Sequence, residues 1–316
     1  MKPSNISSTI ESLSIDRLNS YKSYFNLGTD EEALGLYLWN DALSTSFFKL
    51  ISIFEVAFRN MLHRELSFIY SSYRTQGTQY DNDWYKYLMD NQILSSKTIQ
   101  ILQSTTHTYV RPQGQTKAIY TEKCPALLPG KVIASQTNGF WIKLIENHRT
   151  KIDWAKIFHK GLKGHFSVHK SYWKTAQIDD LLKRLNEVNE LRNRIAHHEP
   201  LWKFTKVLHP KTQVMIYPQA KNPTESIQRM LTLNDRICRL LGWISDDRRV
   251  DYLNSYYKKH FDWFCKESTI EIYKNYAYVE EMPFSKVKRE MRKILKVKSL
   301  VEIKHKHGGM IISRGF

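Results

Sequence analysis

Hydrophobic residues recur every three or four positions along most of this chain, the spacing that places them on one face of an α-helix. The longest such stretch predicts a helix from Leu34 to about Tyr70. Thr29 suits its N-cap, because a hydroxyl can accept a first-turn amide hydrogen and three acidic residues follow it. A second strong stripe predicts a helix from about Ile178 to Ile195, which Pro200 must end or kink.

Shorter stretches with helical spacing flank these two. We expect them to form helices over residues 7–24, 84–103, 140–145, 154–158 and 223–244. Asn222 suits the N-cap of the last one, with Pro223 as its first residue. Two stretches lack the helical period. Residues 106–137 hold three prolines and four basic residues, so they predict an irregular basic loop that a short hairpin would fit, whereas residues 206–217 predict a short extended segment.

These elements predict an all-α (mainly α) fold. We place a helical domain at residues 1–245 and a basic, aromatic-rich extension at residues 246–316. Nine aromatic residues lie between Tyr252 and Tyr278, and such a density fills a core more often than it stacks on bases. From Ser285 to Phe316 the chain carries ten Lys or Arg against two Glu, about half of the net charge of the whole protein.

This basic segment predicts contacts with a phosphate backbone. The RNA-binding residues that we expect there are Lys286, Lys288, Arg289, Arg292, Lys293, Lys296 and Lys298. The alternatives are a solvated face, a helix at a membrane surface, and docking of an apolar stripe on the helical core. That stripe comprises Val287, Met291, Ile294 and Leu295, and it predicts a basic amphipathic helix in this segment. The whole chain has 48 Lys and Arg against 31 Asp and Glu, a net charge of +17 that favours a polyanionic partner.

The cysteines and the N-terminus indicate the compartment. Cys124, Cys238 and Cys265 are odd in number and far apart, so they form neither a disulfide framework nor a zinc motif. The first residues lack the apolar stretch of a secretory signal, and charges interrupt the longest apolar segment. We expect a cytoplasmic protein with no membrane segment, no metal and no cofactor.

The most informative ten residues run from Leu191 to Pro200 and include Arg192, Asn193 and, four positions later, His197. On an ideal helix, at about 100° per residue, Asn193 and His197 share one face, whereas Arg192 lies about 140° from His197. A shared site therefore needs the reach of the arginine, a distorted last turn, or a second subunit.

These residue types suit metal-independent cleavage of RNA. A histidine with the ordinary pKa of about 6.5 can remove the 2′-hydroxyl proton or protonate the leaving 5′ oxygen. A guanidinium can bind the scissile phosphate and offset the charge that grows on its oxygens. The products would be a 2′,3′-cyclic phosphate and a 5′-hydroxyl. The alternative is an ordinary helix surface with a C-terminal histidine that suits the helix dipole.

The motif resembles the Arg-x(4–6)-His motif of HEPN-superfamily ribonucleases, including the polar residue after the arginine. From about residue 15 to residue 245, the chain resembles the Abi-like (abortive infection) family of bacterial antiphage proteins within that superfamily. The stretches that carry this resemblance are LYLWNDALSTSFFKLISIFEVAFRNML, NGFWIKLIENH and LNEVNELRNRIAHHEPLW.

The resemblance implies a helical bundle with two long antiparallel helices, an endoribonuclease that acts as an antiphage toxin, and a cognate structured noncoding RNA that restrains it. Arg192 would bind the phosphate, Asn193 would position the phosphate or the histidine, and His197 would be the acid or base. The resemblance also implies that two motifs form one composite site. Because the chain has one complete motif, the second must come from another copy in a homodimer or larger homo-oligomer. Two other functions stay open: a non-catalytic RNA-binding module of a defence or toxin–antitoxin system, and a helical partner of another enzyme.

Five further residues are candidates for supporting roles: His198, Glu199, Glu55, Arg59 and Asn60. His198 caps the helix or assists, and Glu199 orients a neighbouring histidine or merely precedes the proline. Glu55 and Arg59 have the favourable order for an ion pair one turn apart, which we expect to buttress the core helices. His63 follows that arginine one position short of the motif spacing, so we do not expect a second active site there.

Overall fold

The structure is a computed structural model that describes residues 3–71, 76–114, 119–208, 214–276, 281–297, 300–305 and 308–313. This part of the chain is mainly helical, which confirms the predicted fold class. The helices are α1 (Ile6–Ser12), α2 (Ile15–Phe25), α3 (Asp30–Ile69), α4 (Trp84–Asp90), α5 (Ser96–Thr106), α6 (Pro129–Ala134), α7 (Asn138–Asn147), α8 (Trp154–Gly161), α9 (Thr175–Ala196), α10 (Pro223–Ile244), α11 (Asp246–Leu253), α12 (Tyr256–Phe264), α13 (Glu267–Lys274) and α14 (Phe284–Val297), with a short 3-10 helix at Lys170–Tyr172. None of the helices in the described ranges has both the length and the hydropathy needed to cross a membrane.

The strands are short. Three antiparallel pairs join β1 (Gly77–Thr78) to β2 (Asp81–Asn82), β3 (His107–Val110) to β4 (Ile119–Glu122), and β5 (Val207–Leu208) to β6 (Met215–Tyr217). A three-stranded sheet has the order β7 (Glu281–Pro283), β8 (Leu300–His305) and β9 (Gly308–Ser313). In the described ranges, the strands therefore form only two- and three-stranded sheets between the helices.

Two long helices begin where the sequence predicts. The Thr29 hydroxyl accepts a hydrogen bond from the Glu32 amide at 3.2 Å, and the Glu32 carboxylate accepts one from the Thr29 amide at 3.2 Å. This reciprocal pair is a capping box at the start of α3. At the start of α10, the Asn222 side chain accepts a hydrogen bond from the Glu225 amide at 2.9 Å. Both predicted N-caps are confirmed.

Three predicted segments are divided more finely than expected. The opening helix is two helices, because the chain is extended between α1 and α2. The helix predicted over residues 84–103 is likewise α4 and α5, separated by a turn in which Gln92 has a positive φ of 56° and Ser95 caps α5. The loop predicted at 106–137 holds the β3–β4 hairpin and α6. Within the extended segment predicted at 206–217, β5 and β6 form an antiparallel pair, and residues 209–213 lie outside the described residues.

The chain forms two compact units, each assembled from separated segments. The first comprises Met1–Leu50, Asn193–Arg236 and Asp251–Phe316, and the second comprises Ile51–Arg192 and Ile237–Val250. The predicted domain boundary near residue 246 rests on the basic, aromatic-rich composition of the residues that follow it, and it stays a prediction. Helices α3, α9 and α10 each contribute residues to both units.

Aromatic residues fill much of the first unit. Trp39 of α3 donates its indole N–H to the Phe264 carbonyl at 3.0 Å. A Cβ atom at Gly35 would lie 1.9 Å from the Tyr273 carbonyl oxygen, so the approach of α3 to α13 requires glycine there. Of the aromatic cluster at 252–278, the buried members are Tyr252, Phe261, Trp263, Phe264, Tyr273 and Tyr276, whereas Tyr256 and Tyr257 are exposed and Tyr278 lies outside the described residues. The structure therefore favours a core role over base stacking for most of this cluster.

The C-terminal segment forms a small α/β arrangement in the first unit. Strand β7 pairs with β8 in parallel, β8 pairs with β9 antiparallel, and α14 connects β7 to β8. Helix α14 confirms the predicted basic helix, but the sequence did not predict the two strands that follow it. A buried cluster comprises Met282, Val287, Ile294 and Val301, whereas Met291 is exposed and the Leu295 side chain lies outside the description. Two members of the predicted stripe thus pack within this segment.

In the second unit, two hydrogen bonds fix the tautomer of His63. The Trp84 indole N–H donates to Nδ1 of His63 at 3.0 Å, so the ring proton lies on Nε2 and donates to the Asp81 carboxylate at 2.7 Å. Both ring nitrogens are therefore engaged in packing α3 against α4 and the β1–β2 pair. This arrangement supports the expectation that His63 is not a second active site.

Candidate active site

The motif lies at the C-terminal end of α9, and that end has a defined geometry. The His198 amide donates to the Ile195 carbonyl at 3.1 Å, and the Glu199 amide donates to the Arg194 carbonyl at 2.8 Å. This pair of hydrogen bonds is a Schellman motif. His198 occupies its left-handed position with a φ of 54°, where glycine is usual because it has no Cβ to clash. His198 is therefore the capping histidine of the adjacent pair.

His197 ends the last regular turn of α9. Its amide donates to the Asn193 carbonyl at 2.9 Å, which keeps these two residues one helical turn apart. Both side chains are exposed. Within the described ranges, no hydrogen bond or ion pair engages the His197 imidazole. This imidazole is therefore open to a substrate that approaches from solvent.

Arg194 has a structural role that the sequence analysis missed. Its guanidinium donates to the carbonyls of Pro200 and Lys203, the latter at 3.2 Å, and lies 5.5 Å from the ring centroid of Phe204. Its Nε atom is also 3.8 Å from the Glu199 carboxylate. Arg194 thus holds the chain where it turns back after α9, and Glu199 is an ion-pair partner of this arginine.

The segment after the motif is anchored on the N-terminal half of α3. The buried Asn40 side chain accepts a hydrogen bond from the Leu201 amide at 2.8 Å. Burial raises the pKa of the neighbouring Asp41, and nearby positive charge, including that of Arg17, opposes this rise.

Arg192 belongs to the second unit, where Glu55 of α3 is its ion-pair partner. The Arg192 Nε atom lies 3.8 Å from Oε1 of Glu55, which is longer than a hydrogen bond. The exposed fractions of the two side chains are 38% for Arg192 and 24% for Glu55. Burial raises the pKa of Glu55, and the charges of Arg192 and Arg59 oppose that rise. Oε1 of Glu55 is buried and has no hydrogen-bond partner among the described residues, so it acts on the arginine through its charge.

The structure pairs Glu55 with Arg192 and not with Arg59, contrary to the sequence prediction. Nη1 of Arg59 donates to the Ala134 carbonyl at 3.2 Å. Ala134 is the last residue of α6, and the carbonyl groups at a helix C-terminus attract cations. The third candidate on this helix, Asn60, is exposed.

Helix α14 presents part of the predicted RNA-binding set. Exposed members are Lys286, Lys288, Arg289, Lys293 and Lys296, whereas the Arg292 side chain and all of Lys298 lie outside the described residues. The opposite side of the helix is apolar and buried. The helix therefore places a row of cations on the outside of a small apolar cluster.

The family model described as Abi-like protein matches residues 8–203. That range contains most of α1, all of α2 to α9 and the whole motif, and it ends before the limit near residue 245 that the resemblance in the sequence suggests. No curated protein and no solved structure matches the chain.

Proposed function

The chain belongs to the Abi-like protein family, and from this premise we propose that it is a metal-independent RNA endonuclease of the HEPN type. It acts in the cytoplasm as an antiphage abortive-infection toxin. The observation that carries the proposal is the end of α9, where an exposed His197 follows an exposed Asn193 by one turn and Arg192 lies beyond hydrogen-bond distance of its only ion-pair partner in the described ranges. These are an acid or base, a polar positioning group and a phosphate-binding cation.

The residue roles follow from this geometry. The Arg192 guanidinium keeps donors for the scissile phosphate, because Glu55 approaches it at 3.8 Å and forms no hydrogen bond through its buried oxygen with a described residue. The carboxylate supplies a charge that orients the guanidinium without saturating it. His197 removes the proton of the 2′-hydroxyl, whose oxygen attacks phosphorus, and the bond from phosphorus to the 5′ oxygen breaks. A protonated histidine returns a proton to that oxygen, so the products are a 2′,3′-cyclic phosphate and a 5′-hydroxyl.

The base and the acid come from two copies of the motif in a homodimer or larger homo-oligomer. Arg192 and His197 project about 140° apart around one helix, so two copies of α9 satisfy the geometry more easily than one. Each copy would supply one imidazole to a composite site. The exposed face of Asn193 and His197 is the part of α9 that supports this arrangement.

The partner RNA is held by charge. The net charge of the chain is +17, and the exposed lysines of α14 form a row suited to a phosphate backbone. A cognate structured noncoding RNA that restrains the toxin would bind this row without base-specific contacts.

A second candidate function is a non-catalytic RNA-binding module of a defence or toxin–antitoxin system. The basic row on α14 serves that function equally well. It differs from the first in one requirement, because a binding module does not need an unengaged imidazole at position 197. The function of the motif therefore decides between the two.

The experiment is to incubate the purified protein with mixed RNA in EDTA and to map the cleavage ends. We expect cyclic phosphate and 5′-hydroxyl ends, and a loss of about 10²–10⁴ in rate for His197→Ala, the effect of removing one acid or base. The matched control is His198→Gly, which removes the neighbouring imidazole at a position whose φ of 54° glycine accepts readily.

Each result has a clear meaning. Loss of cleavage in the folded His197→Ala variant with retention in His198→Gly supports the nuclease and assigns the chemistry to one imidazole. Wild-type cleavage by a folded His197→Ala variant would refute the assignment. RNA binding without any cleavage would support the binding module.

A further inference from the structure

A cavity of about 350 Å³ lies in the second unit, between α9, the C-terminal part of α10 and the loop at residues 162–174. Its size is in the range of small-molecule sites. Arg184, which lines it, precedes Arg192 by eight residues on α9, about 12 Å along the helix axis. The cavity is therefore near the motif along the same helix, but it uses none of the proposed catalytic residues.

Aromatic rings form the walls of this cavity. The His165 ring centroid lies 4.2 to 5.0 Å from the ring centroids of Phe166, Tyr172, Trp173 and Trp243. Phe166 is 75% exposed, an unusual position for a phenylalanine in a folded chain, and it stands at the mouth of the cavity. These rings offer flat faces on which another planar ring can stack.

The loop that carries these rings is fixed by a close backbone contact. The Gly164 amide donates to the Trp243 carbonyl at 2.9 Å. A Cβ atom at Gly164 would lie 2.2 Å from the Gly242 carbonyl oxygen, so only glycine permits this approach. The aromatic walls are therefore held against α10 by the backbone as well as by their own packing.

The polar groups of the cavity are suited to an anion. Two guanidinium groups, of Arg184 and Arg239, line it against one carboxylate, Asp180, which accepts a hydrogen bond from Nε of Arg184 at 2.9 Å. A guanidinium has five N–H donors, so Arg184 keeps donors for a ligand besides the one that Asp180 accepts.

The imidazole of His165 does not add a cation to the site. Burial lowers the pKa of His165, and the Arg184 charge adds to this effect, so the ring is neutral near neutral pH. The guanidinium of Arg184 is the group suited to a phosphate.

We propose that this cavity binds one nucleotide unit, an aromatic base with its adjoining phosphate. The base stacks on the exposed face of Phe166, and the guanidinium of Arg184 binds the phosphate. The same chemistry is offered by a free nucleotide and by an unpaired nucleotide of an RNA strand. The inference does not depend on cleavage by the motif.

The test is calorimetric titration of the full-length protein with three probes. They are adenosine 5′-monophosphate, inorganic phosphate, and 2′-O-methyl hexa-adenylate, which has no free 2′-hydroxyl to react. We expect Phe166→Ala to weaken binding of the nucleotide probes by about fivefold or more, the effect of one lost base stack, and to leave phosphate binding unchanged. Arg184→Gln weakens binding of every probe. The exposed Lys183, one residue earlier on α9, provides the matched control, and Lys183→Gln has no effect.

The probes distinguish the sources of the ligand. Binding of the mononucleotide supports a free nucleotide, and binding of the oligonucleotide alone supports an RNA strand. The proposal is overturned by the absence of saturable binding at millimolar concentrations, by binding of inorganic phosphate alone, or by binding that Phe166→Ala and Arg184→Gln leave unchanged. Because binding is measured without cleavage, and in His197→Ala as well, its failure and the failure of the nuclease proposal are separate results.

Discussion

Replacing Glu55 by glutamine separates a positioning role from a structural one. Glu55→Gln keeps the shape of the side chain and removes the charge that faces Arg192 at 3.8 Å. If this charge orients the guanidinium, the variant loses cleavage rate while it keeps its stability. A residue that merely holds the fold together would lose both.

Whether Glu55→Gln raises or lowers the unfolding free energy depends on two opposing contributions, the attraction between Glu55 and Arg192 and the cost of burying the Glu55 carboxylate. Two unit charges at 3.8 Å attract by about 4 kcal/mol at an effective dielectric constant of about 20, and by about 1 kcal/mol in water. Burial nevertheless dominates, because the pKa of Glu55 is raised although Arg192 and Arg59 act to lower it. The charged carboxylate is thus less favoured in the folded chain than in the unfolded chain. We therefore expect Glu55→Gln to be at least as stable as the wild type at pH 7.

The pH dependence provides a second check on this reasoning. A raised pKa means that the folded protein retains the Glu55 proton to a higher pH than the unfolded chain does. The stabilisation from Glu55 is present below its ordinary pKa of 4.5 and is lost as the pH rises through the raised value. Glu55→Gln lacks this loss. The stability of the variant relative to the wild type should therefore increase with pH over that range and stay constant above it.

The assay compares RNA cleavage at saturating substrate with urea unfolding for the wild type, Glu55→Gln and Glu190→Gln. A misplaced guanidinium should cost about 10- to 100-fold in rate, since small errors in the position of a catalytic group have effects of this size. Glu190 is an exposed carboxylate of α9, so Glu190→Gln makes the same change in net charge without a contact to Arg192 in the described structure. We expect wild-type rate and stability for this control.

Two results would refute the assignment. Wild-type cleavage by Glu55→Gln would show that the charge at position 55 does not orient Arg192. A decrease in unfolding free energy large enough to account for the lost rate would make Glu55 a structural residue, and it would also contradict the conclusion that burial outweighs attraction.

Three further predictions concern the helix end, the oligomer and α14. His198→Gly should keep RNA cleavage. It should also raise the unfolding free energy in urea by up to about 1 kcal/mol, because glycine adopts the left-handed backbone without strain and this gain outweighs its added chain entropy. Lower stability would contradict the capping role. Sedimentation of active protein, with and without RNA, should show a dimer or larger oligomer, whereas a strict monomer that cleaves RNA would mean that one motif suffices. Joint replacement of Lys286, Lys288 and Lys293 by glutamine should reduce the slope of the logarithm of the RNA-binding constant against log salt by about 0.7 to 0.9 for each lost phosphate contact. The melting temperature should change little, because the buried cluster is untouched. An unchanged slope would remove α14 from the RNA-binding surface.

The parts of the fold that the sequence predicted are those with a one-sided apolar pattern over several turns. Helices α3, α9 and α10 have such patterns, and the caps of α3 and α10 use side chains within three residues of the helix start. The breaks between α1 and α2 and between α4 and α5 interrupt the pattern for only a few residues, so periodicity alone does not reveal them. Strand β8 pairs with both β9 and β7, and the pairing with β7 is a non-local arrangement that no local pattern specifies.

For the candidate site, the sequence supplied the residues of α9 and not their partners. Arg192 is 137 positions from Glu55, so only the packing of α9 on α3 brings the two charges together. The sequence instead favoured Arg59, the neighbour one turn along the same helix. That local preference is worth only about 0.3–0.5 kcal/mol for an exposed pair. It was outweighed in the structure by the carbonyl at the end of α6.

The two arginines on either side of Asn193 have different surroundings in the structure. Positions two apart on a helix project about 200° from each other, so Arg192 and Arg194 face opposite sides of α9. Pro200 requires the chain to turn back soon after the helix, and Arg194 is the one that binds carbonyls of the returning segment. Because Arg194 is engaged there, we propose the phosphate-binding role for Arg192.

A paired substitution tests this division of roles. Arg194→Gln removes charged donors from the Pro200 and Lys203 carbonyls, so we expect a loss of about 2 kcal/mol in unfolding free energy, with cleavage retained in the folded fraction. Arg192→Gln removes a partly exposed ion pair worth about 1 kcal/mol or less, but it removes a donor to the transition state, which typically costs about 10²–10³ in rate. Urea unfolding and single-turnover cleavage of the two variants measure both quantities. The reverse result, with activity lost in Arg194→Gln and stability lost in Arg192→Gln, would exchange the two roles and would make Arg194, which projects about 60° from His197 on an ideal helix, the phosphate-binding residue.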